Sequence, residues 1–478
     1  MSVETPAPSS PPTTQDASGR GGYVLRAPVR GARAAVRASR RRVEAPLFRN
    51  GYALIASSAL TSALGLVFWL IAARSYSTVA VGVASALIAT STTIANLSHL
   101  NLKSALNRFL PRAGRATFRL VTRSYALSVA VAGAASLVFI AGVGFWSPRL
   151  AFLSHRPGVA IWFVLATMVW TIFVLEDSAL TGVRSAVWVP LENLLYSALK
   201  LAALPALVVA APLLGAFVAW TAAVVPLVIV VNLLLFRRLL PTHARTTGNR
   251  EERAGAREIV HYVAADFAAY AVLTATIGLL PLVVLSVLGA KASAYYFVSW
   301  SVAYGMYLIP SSLGMSMISE ASTEPARLAD YDRQALRGAA KLLVPCVLVV
   351  TLAAPWLLDL LGHDYAQGAS TLLRLLVVSA LPWTVFVSFT NAARVRQRMR
   401  QVVYATAALV GLVLAIGVPL MGPLGVDGLG VGWLAGQSLT AVGILAIRRA
   451  GDRARMLVRP GGRLRIRVRP RLHGVLSD

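Results

Sequence analysis

Three ionisable side chains stand where a chain this apolar should carry none. Lys200 lies inside the apolar stretch 193–236, two helical turns after Glu192 and Asn193. Arg374 lies inside 371–392, and Asp266 about two turns into 259–288. An ionisable group in hydrocarbon is costly and ordinarily faces a water-filled cavity or a partner. Cations so placed would attract an anionic substrate, Arg in the forked geometry that suits phosphate and Lys as a point charge. Asp266 would then pair with one of them or carry a coupling ion. A plainer reading stays open for each. Lys200 and Arg374 are a few residues from the ends of their runs and could snorkel to a headgroup layer, and Asp266 is interfacial if its run begins later.

Neutral polar groups add to this set. Asn96, His99 and Asn101 end another apolar run, where such residues more often hydrogen-bond neighbouring helices than bind ligands. Tyr296, Trp300, Tyr304 and Tyr307 recur at helical spacing on one face, giving either core packing or a wall on which a sugar ring stacks. No Gly-rich phosphate cradle, His/Cys metal cluster or nucleophile elbow appears in the sequence. The expectation is a protein that is not an enzyme and needs no cofactor. The single cysteine, Cys346, sits in an apolar run, so no intrachain disulfide forms.

The elements that must position these groups are membrane helices. The chain is 57% hydrophobic and only 14% charged, with mean hydropathy +0.67, whereas soluble domains carry about 25% charged residues. Runs of roughly 20 apolar residues span the hydrocarbon, and the sequence holds twelve: 51–73, 78–100, 124–146, 158–175, two within 193–236 split at Pro212, 259–288, 292–317, 341–361, 371–392, 402–421 and 428–447. Pro205, Pro226, Pro281, Pro310, Pro345 and Pro382 fall inside these runs. Each frees a backbone carbonyl and permits a bend.

Charge sets the topology. Of 46 Lys and Arg, 40 fall in the two tails and the five even-numbered gaps between runs, with Lys341 counted at the basic edge of its run. The odd-numbered gaps hold 4 (Arg74, Arg149, Arg156 and Lys291), and the other 2 are Lys200 and Arg374. By the positive-inside rule both termini and the basic gaps are cytoplasmic. The +27 formal charge is thereby a matter of topology and anionic headgroups, and no nucleic-acid partner is expected. The parts are a disordered basic N-tail (1–48), a first half with six runs (49–237), a basic linker (238–257), a second half with six runs (258–448) and a basic C-tail (449–478). Leu102, Leu106, Phe109 and Leu110 share a face beside Lys103, Arg108 and Arg112, as expected of a helix lying in the inner interface. Arg outnumbers Lys 42 to 4, a usage that suggests a high-GC, bacterial genome.

Residues 48–111 carry a resemblance. Arg49-Asn50-Gly51, then Ile71-Ala72-Ala73-Arg74, Val79-Ala80-Val81-Gly82 and Ala105-Leu106-Asn107-Arg108-Phe109 resemble the bacterial polysaccharide flippases. Those belong with lipid II flippases and MATE exporters in the MOP superfamily. Ser75-Tyr76-Ser77-Thr78 departs from the Leu-Gly-containing turn usual there. The resemblance implies an all-α integral membrane protein with twelve transmembrane helices in a V-shaped pair of six-helix bundles. It implies a multi-pass protein of the bacterial inner membrane that translocates a polyprenyl-diphosphate-linked saccharide for surface polysaccharide synthesis, by alternating access and beside polysaccharide assembly proteins. Cavity candidates are then Lys200, Arg374, Arg108, Asn96, His99 and Tyr304, with Asp266 for the coupling ion. Two alternatives stand: a MATE-like cation-coupled exporter of small molecules, and a membrane polysaccharide polymerase or glycosyltransferase. The second would want a large outer loop, and the longest expected one, near 147–157, has about a dozen residues.

Overall fold

A segment that crosses hydrocarbon must satisfy every backbone N–H and C=O within itself, and runs of Ala, Leu and Val do so as helices. The computed structural model describes residues 63–247, 256–323 and 327–457, and every regular element among them is helical. The first half comprises α1 (Ala63–Ser75), α2 (Thr78–Ser98), short α3 (Leu102–Phe109), α4 (Thr117–Trp146), one-turn α5 (Phe152–His155), α6 (Pro157–Gly182) and α7 (Trp188–Ala210). It closes with a composite helix made of α8 (Gly215–Ala222), α9 (Val224–Leu234), a π-helical turn (Leu235–Leu239) and α10 (Leu240–Thr247). The second half comprises α11 (Ala256–Leu288), α12 (Ala290–Thr323), α13 (Leu328–Asp359), α14 (His363–Val395), α15 (Met399–Leu424) and α16 (Val426–Leu457).

Ten helices among the described residues are long and apolar enough to cross a membrane. With α1 and the 34-residue α12, whose Ser and Tyr content lowers its hydropathy, they make the twelve spans. The composite helix breaks at Ala223 because Pro226 cannot accept the ring clash and lost bond of a continuous ladder. The expected N-tail lies outside the described residues, as do 248–255 of the expected linker and 458–478 of the expected C-tail, whereas 238–247 of that linker and 449–457 of that tail are helical.

Helices outrun their apolar cores. Runs read from hydropathy stop at the first charges, but a backbone ladder continues into the interface because intrahelical bonds remain its cheapest partners there. Thus α6 passes through Glu176 and Asp177 to Gly182, where Arg184 turns the chain in the left-handed region (φ 62°). Next, α7 starts at Trp188, so Glu176 and Glu192, expected in a loop, are helical. The 327–337 segment, expected as a loop, is the first part of α13. Its Asp332 meets Arg448 of α16 at 3.3 Å, with Ser388 of α14 bridging both. The interfacial helix expected near Leu102 is α3, and its apolar face is covered by protein: buried Leu106 and Leu110 pack with Leu175 and Ala179 of α6.

The two halves meet along α2, which packs against both α11 and α12. The approach is close enough to require glycine at two positions. A Cβ on Gly82 would stand 1.9 Å from the Ala290 carbonyl oxygen, and one on Gly278 would stand 1.7 Å from Thr93 Oγ1. At the end bearing the short turns, further contacts bind half to half. Arg74 Nε donates to the Leu360 carbonyl (2.8 Å), just past α13. Ser286 Oγ donates to Ser147 Oγ at 3.0 Å, and the Arg149 guanidinium lies against Gly289.

A candidate substrate cavity between the halves

Between α1, α2 and α8 on one side and α11 and α12 on the other lies a cavity of 580 Å³. Six rings line it: Trp69, Trp220, Tyr270, Phe297, Trp300 and Tyr304. Between them stand the hydroxyls of Thr92, Thr93, Thr274 and Ser301 and the amide of Asn96. None of the lining residues is charged. Trp69 meets Phe297 edge to face across the halves, ring centroids 4.6 Å apart, a pairing worth roughly 0.5–1.5 kcal/mol beyond burial. Such a lining offers flat apolar faces and neutral hydrogen-bond partners. That is the chemistry of a carbohydrate or aromatic ligand, and the volume is within the range of small-molecule sites.

Lys200 is placed directly behind this wall. It is 3% exposed, held on α7 by the i, i+4 stripe Glu192, Tyr196, Lys200 and Leu204. Its Nζ lies 4.1 Å from the Trp220 ring centroid, 4.7 Å from Tyr196 and 5.6 Å from Phe68. No carboxylate pairs with it among the described residues. Three rings thus hold the ammonium, a desolvated cation–π arrangement worth about 2 kcal/mol or more. Trp220 belongs to both the box and the cavity wall, so the positive charge is one ring away from a bound ligand. Tyr196 fixes that ring's backbone, donating to the Trp220 carbonyl at 3.2 Å.

The other sequence candidates scatter. Asn96 lines the cavity and returns its Nδ2–H to the Thr92 carbonyl. Tyr304 lines it with 48% of its surface exposed and Trp300 with only 8%, whereas Tyr296 and Tyr307 of the same stripe pack inward. Trp300 stacks on Trp433, and Tyr307 bonds Ser379 and accepts from Gln437. His99 is one step outside: it follows the last residue of α2, and its Nε2 reaches the Tyr270 hydroxyl at 3.3 Å. The Asn101 backbone N–H donates to His99 Nδ1 (3.1 Å), so Nδ1 is the bare nitrogen and Nε2 carries the proton. Burial, reinforced by Lys103, pushes the imidazole pKa down to about 4. Arg374 does not reach the cavity. It is exposed on α14 with Nε on the Thr351 carbonyl of α13, beside the exposed apolar residues Leu348 and Leu352. Arg108 is exposed on α3, its guanidinium over Phe109, away from the lining. The Asp266 side chain lies outside the described ones.

Sequence reasoning missed Trp69, Trp220 and Phe297, aromatics in apolar runs that carry no mark of which face they occupy. It also missed the buried carboxyls Glu176 and Glu192, hidden by being counted as loop.

No protein-family model and no curated protein matches the chain. Solved structures share its fold at low identity. An inward-facing multidrug resistance MATE family transporter of the MOP superfamily aligns with TM-score 0.63 at 15% identity, over 84% of this chain and 96% of that one. The lipid II flippase MurJ, in an inward closed conformation, aligns with TM-score 0.63 at 8% identity, over 82% and 87%. An outward-facing MATE family transporter of that superfamily aligns less well, at 0.50 with 15% identity, over 84% and 96%. The chain therefore shares the fold of these proteins.

Proposed function

We propose that this protein is a transporter of the bacterial cytoplasmic membrane. It moves the saccharide head of a polyprenyl-diphosphate-linked unit from the inner to the outer leaflet by alternating access. The observation that carries the reading is the cavity: ring-lined, free of charged lining side chains among the described residues, and backed by a caged lysine. Sugar rings stack on Trp69, Trp220 and Tyr304 while Thr92, Asn96 and Ser301 meet hydroxyls. The diphosphate sits in the field of Lys200. At roughly 8 Å and an effective dielectric near 20, one charge on another is worth about 2 kcal/mol. The polyprenyl chain stays in lipid. The basic end is cytoplasmic by the positive-inside rule, which makes the short-turn end, where Arg74 and Ser286 bind half to half, the periplasmic one. The MOP fold, shared with a lipid II flippase, supports the same class of substrate.

Depleting the protein in its host tests this. Complete lipid-linked oligosaccharide should accumulate on the inner leaflet, and surface glycan should fall. Normal surface glycan with altered drug sensitivity would instead establish the second reading, a small-molecule exporter, which the equal likeness to a MATE transporter favours.

A further inference from the structure

Beside the cavity, deeper in the first half, lies a second buried polar site. Glu176 of α6 is fully buried and Glu192 of α7 is 2% exposed. The α6–α7 hairpin sets them level: Glu176 is six residues before the end of α6 and Glu192 four after the start of α7, a rise of about 9 Å and 6 Å from the same turn. Their carboxyl groups face one another and lie in the field of Asp177. Yet all four carboxyl oxygens are buried without a donor. An independent group points the same way. Tyr125 of α4, only 9% exposed, interacts with Glu176, Glu192 and Asp177, and its hydroxyl also has no partner.

Buried polar groups are hydrogen-bonded as a rule, and an isolated pair of like charges is the costliest exception. Two facing carboxyls need one donor between them, and the described side chains around them supply none. The helices packed on the pair are informative in this respect. Neither α2, α8 nor α9 carries a charged residue. On α4, Arg119 and Arg123 are exposed, as is Arg184 in the turn. Tyr196, one turn along α7 from Glu192, spends its hydroxyl on the Trp220 carbonyl. Lys103 of α3 faces Asp177 rather than the pair. The missing donor is a proton.

We infer that Glu176 and Glu192 form a proton-binding site in which the two carboxyls share one proton, with Tyr125 capping it. The site takes the pair from charge −2 to −1. Asp177 and Lys103 join it to the basic, cytoplasmic end, an assignment that rests on the orientation proposed above. On its other side, the α7 stripe leads from Glu192 through Tyr196 to Lys200 and the wall of the cavity. Occupancy of the site and of the cavity therefore bear on one helix face.

Infrared spectroscopy of the purified protein in sodium-free lipid nanodiscs tests the site without any substrate, so its outcome is separable from that of the transport reading. The wild type should show a protonated-carboxyl C=O band at neutral pH that shifts in D2O and disappears at strongly alkaline pH. Glu176→Gln and Glu192→Gln should each abolish it, because the new amide donates the hydrogen bond that the proton had made. Tyr125→Phe should retain the band at a shifted frequency. A wild type without such a band at neutral pH overturns the inference. So does a band that both amide variants keep, or one that added sodium removes at constant pH. If an amide variant fails to fold, the wild-type band, its deuterium shift and its sodium response still decide.

Discussion

Two side chains give the sharpest tests at the scale of single residues. Lys200→Gln removes the charge behind Trp220 while keeping much of the stem that fills the ring box. Transport of an anionic lipid-linked saccharide in proteoliposomes should drop about tenfold or more, the equivalent of the roughly 2 kcal/mol of field at the cavity, with normal membrane levels. Arg374→Gln should transport like the wild type, since that guanidinium lies outside the cavity; a matching loss in both variants would contradict the placement. His99 gives a pH test. Its folded pKa, about 4, is below the ordinary 6.5, so between those values the unfolded chain binds more protons and stability rises with pH. The contribution is complete above about pH 6.5 and is lost as pH falls toward 4, on the order of 3 kcal/mol in all. Thermal unfolding followed from pH 7 to 4 should show a falling Tm, and His99→Gln should flatten that slope. Lys200 was legible in the sequence because a charge amid apolar residues announces itself. Trp220, which gives that charge its access to the cavity, was not, because hydropathy is blind to which face of a helix a ring occupies.

At the scale of elements, the pattern of apolar runs was a good guide to how many helices there are and a poor one to where they end. The twelve runs correspond to twelve spans because hydrocarbon permits no other local structure. Their ends were misplaced because charge marks the membrane edge, not the helix terminus. Continuing α6 past Glu176 and starting α7 before Glu192 is what buries the carboxyl pair. The seam along α2 was equally hidden, since Gly82 and Gly278 look like any glycine in a membrane helix until their neighbours are known. Gly278→Ala would press a methyl into Thr93 Oγ1, and Gly82→Ala would press one into the Ala290 backbone. Each should force α2 off its partner at a cost of about 1–3 kcal/mol. The expected readout is faster maleimide labelling of a cysteine introduced at Ser286, in a background where Cys346 is replaced by Ala. Unchanged labelling in both variants would mean that the seam yields without opening.

At the scale of the whole molecule, the four cations that break the charge rule make sense as a set. Arg74 holds the carbonyl end of α13, where a positive group suits the helix dipole. Arg149 lies against Gly289 at the end of α11, and Lys291 pairs with Asp364 at 3.0 Å. Three of the four therefore sit where the closed end of the molecule is assembled, two of them across the halves. The charges that topology disfavours there are retained at the contacts that must form and break if the protein alternates. Ser147 and Ser286, whose hydroxyls are 3.0 Å apart across the same end, allow this to be tested directly. With Cys346 replaced by Ala, the pair Ser147→Cys and Ser286→Cys should oxidise to an intramolecular disulfide, because the separation is already near that of bonded side chains. The crosslink should stop transport in proteoliposomes, and a reductant should restore it. Arg74→Gln, which loosens the same end without bonding it, should slow crosslinking by lowering the population in which the serines meet. Full transport by the oxidised protein would show that this end does not need to open, and with it alternating access through the cavity would fall.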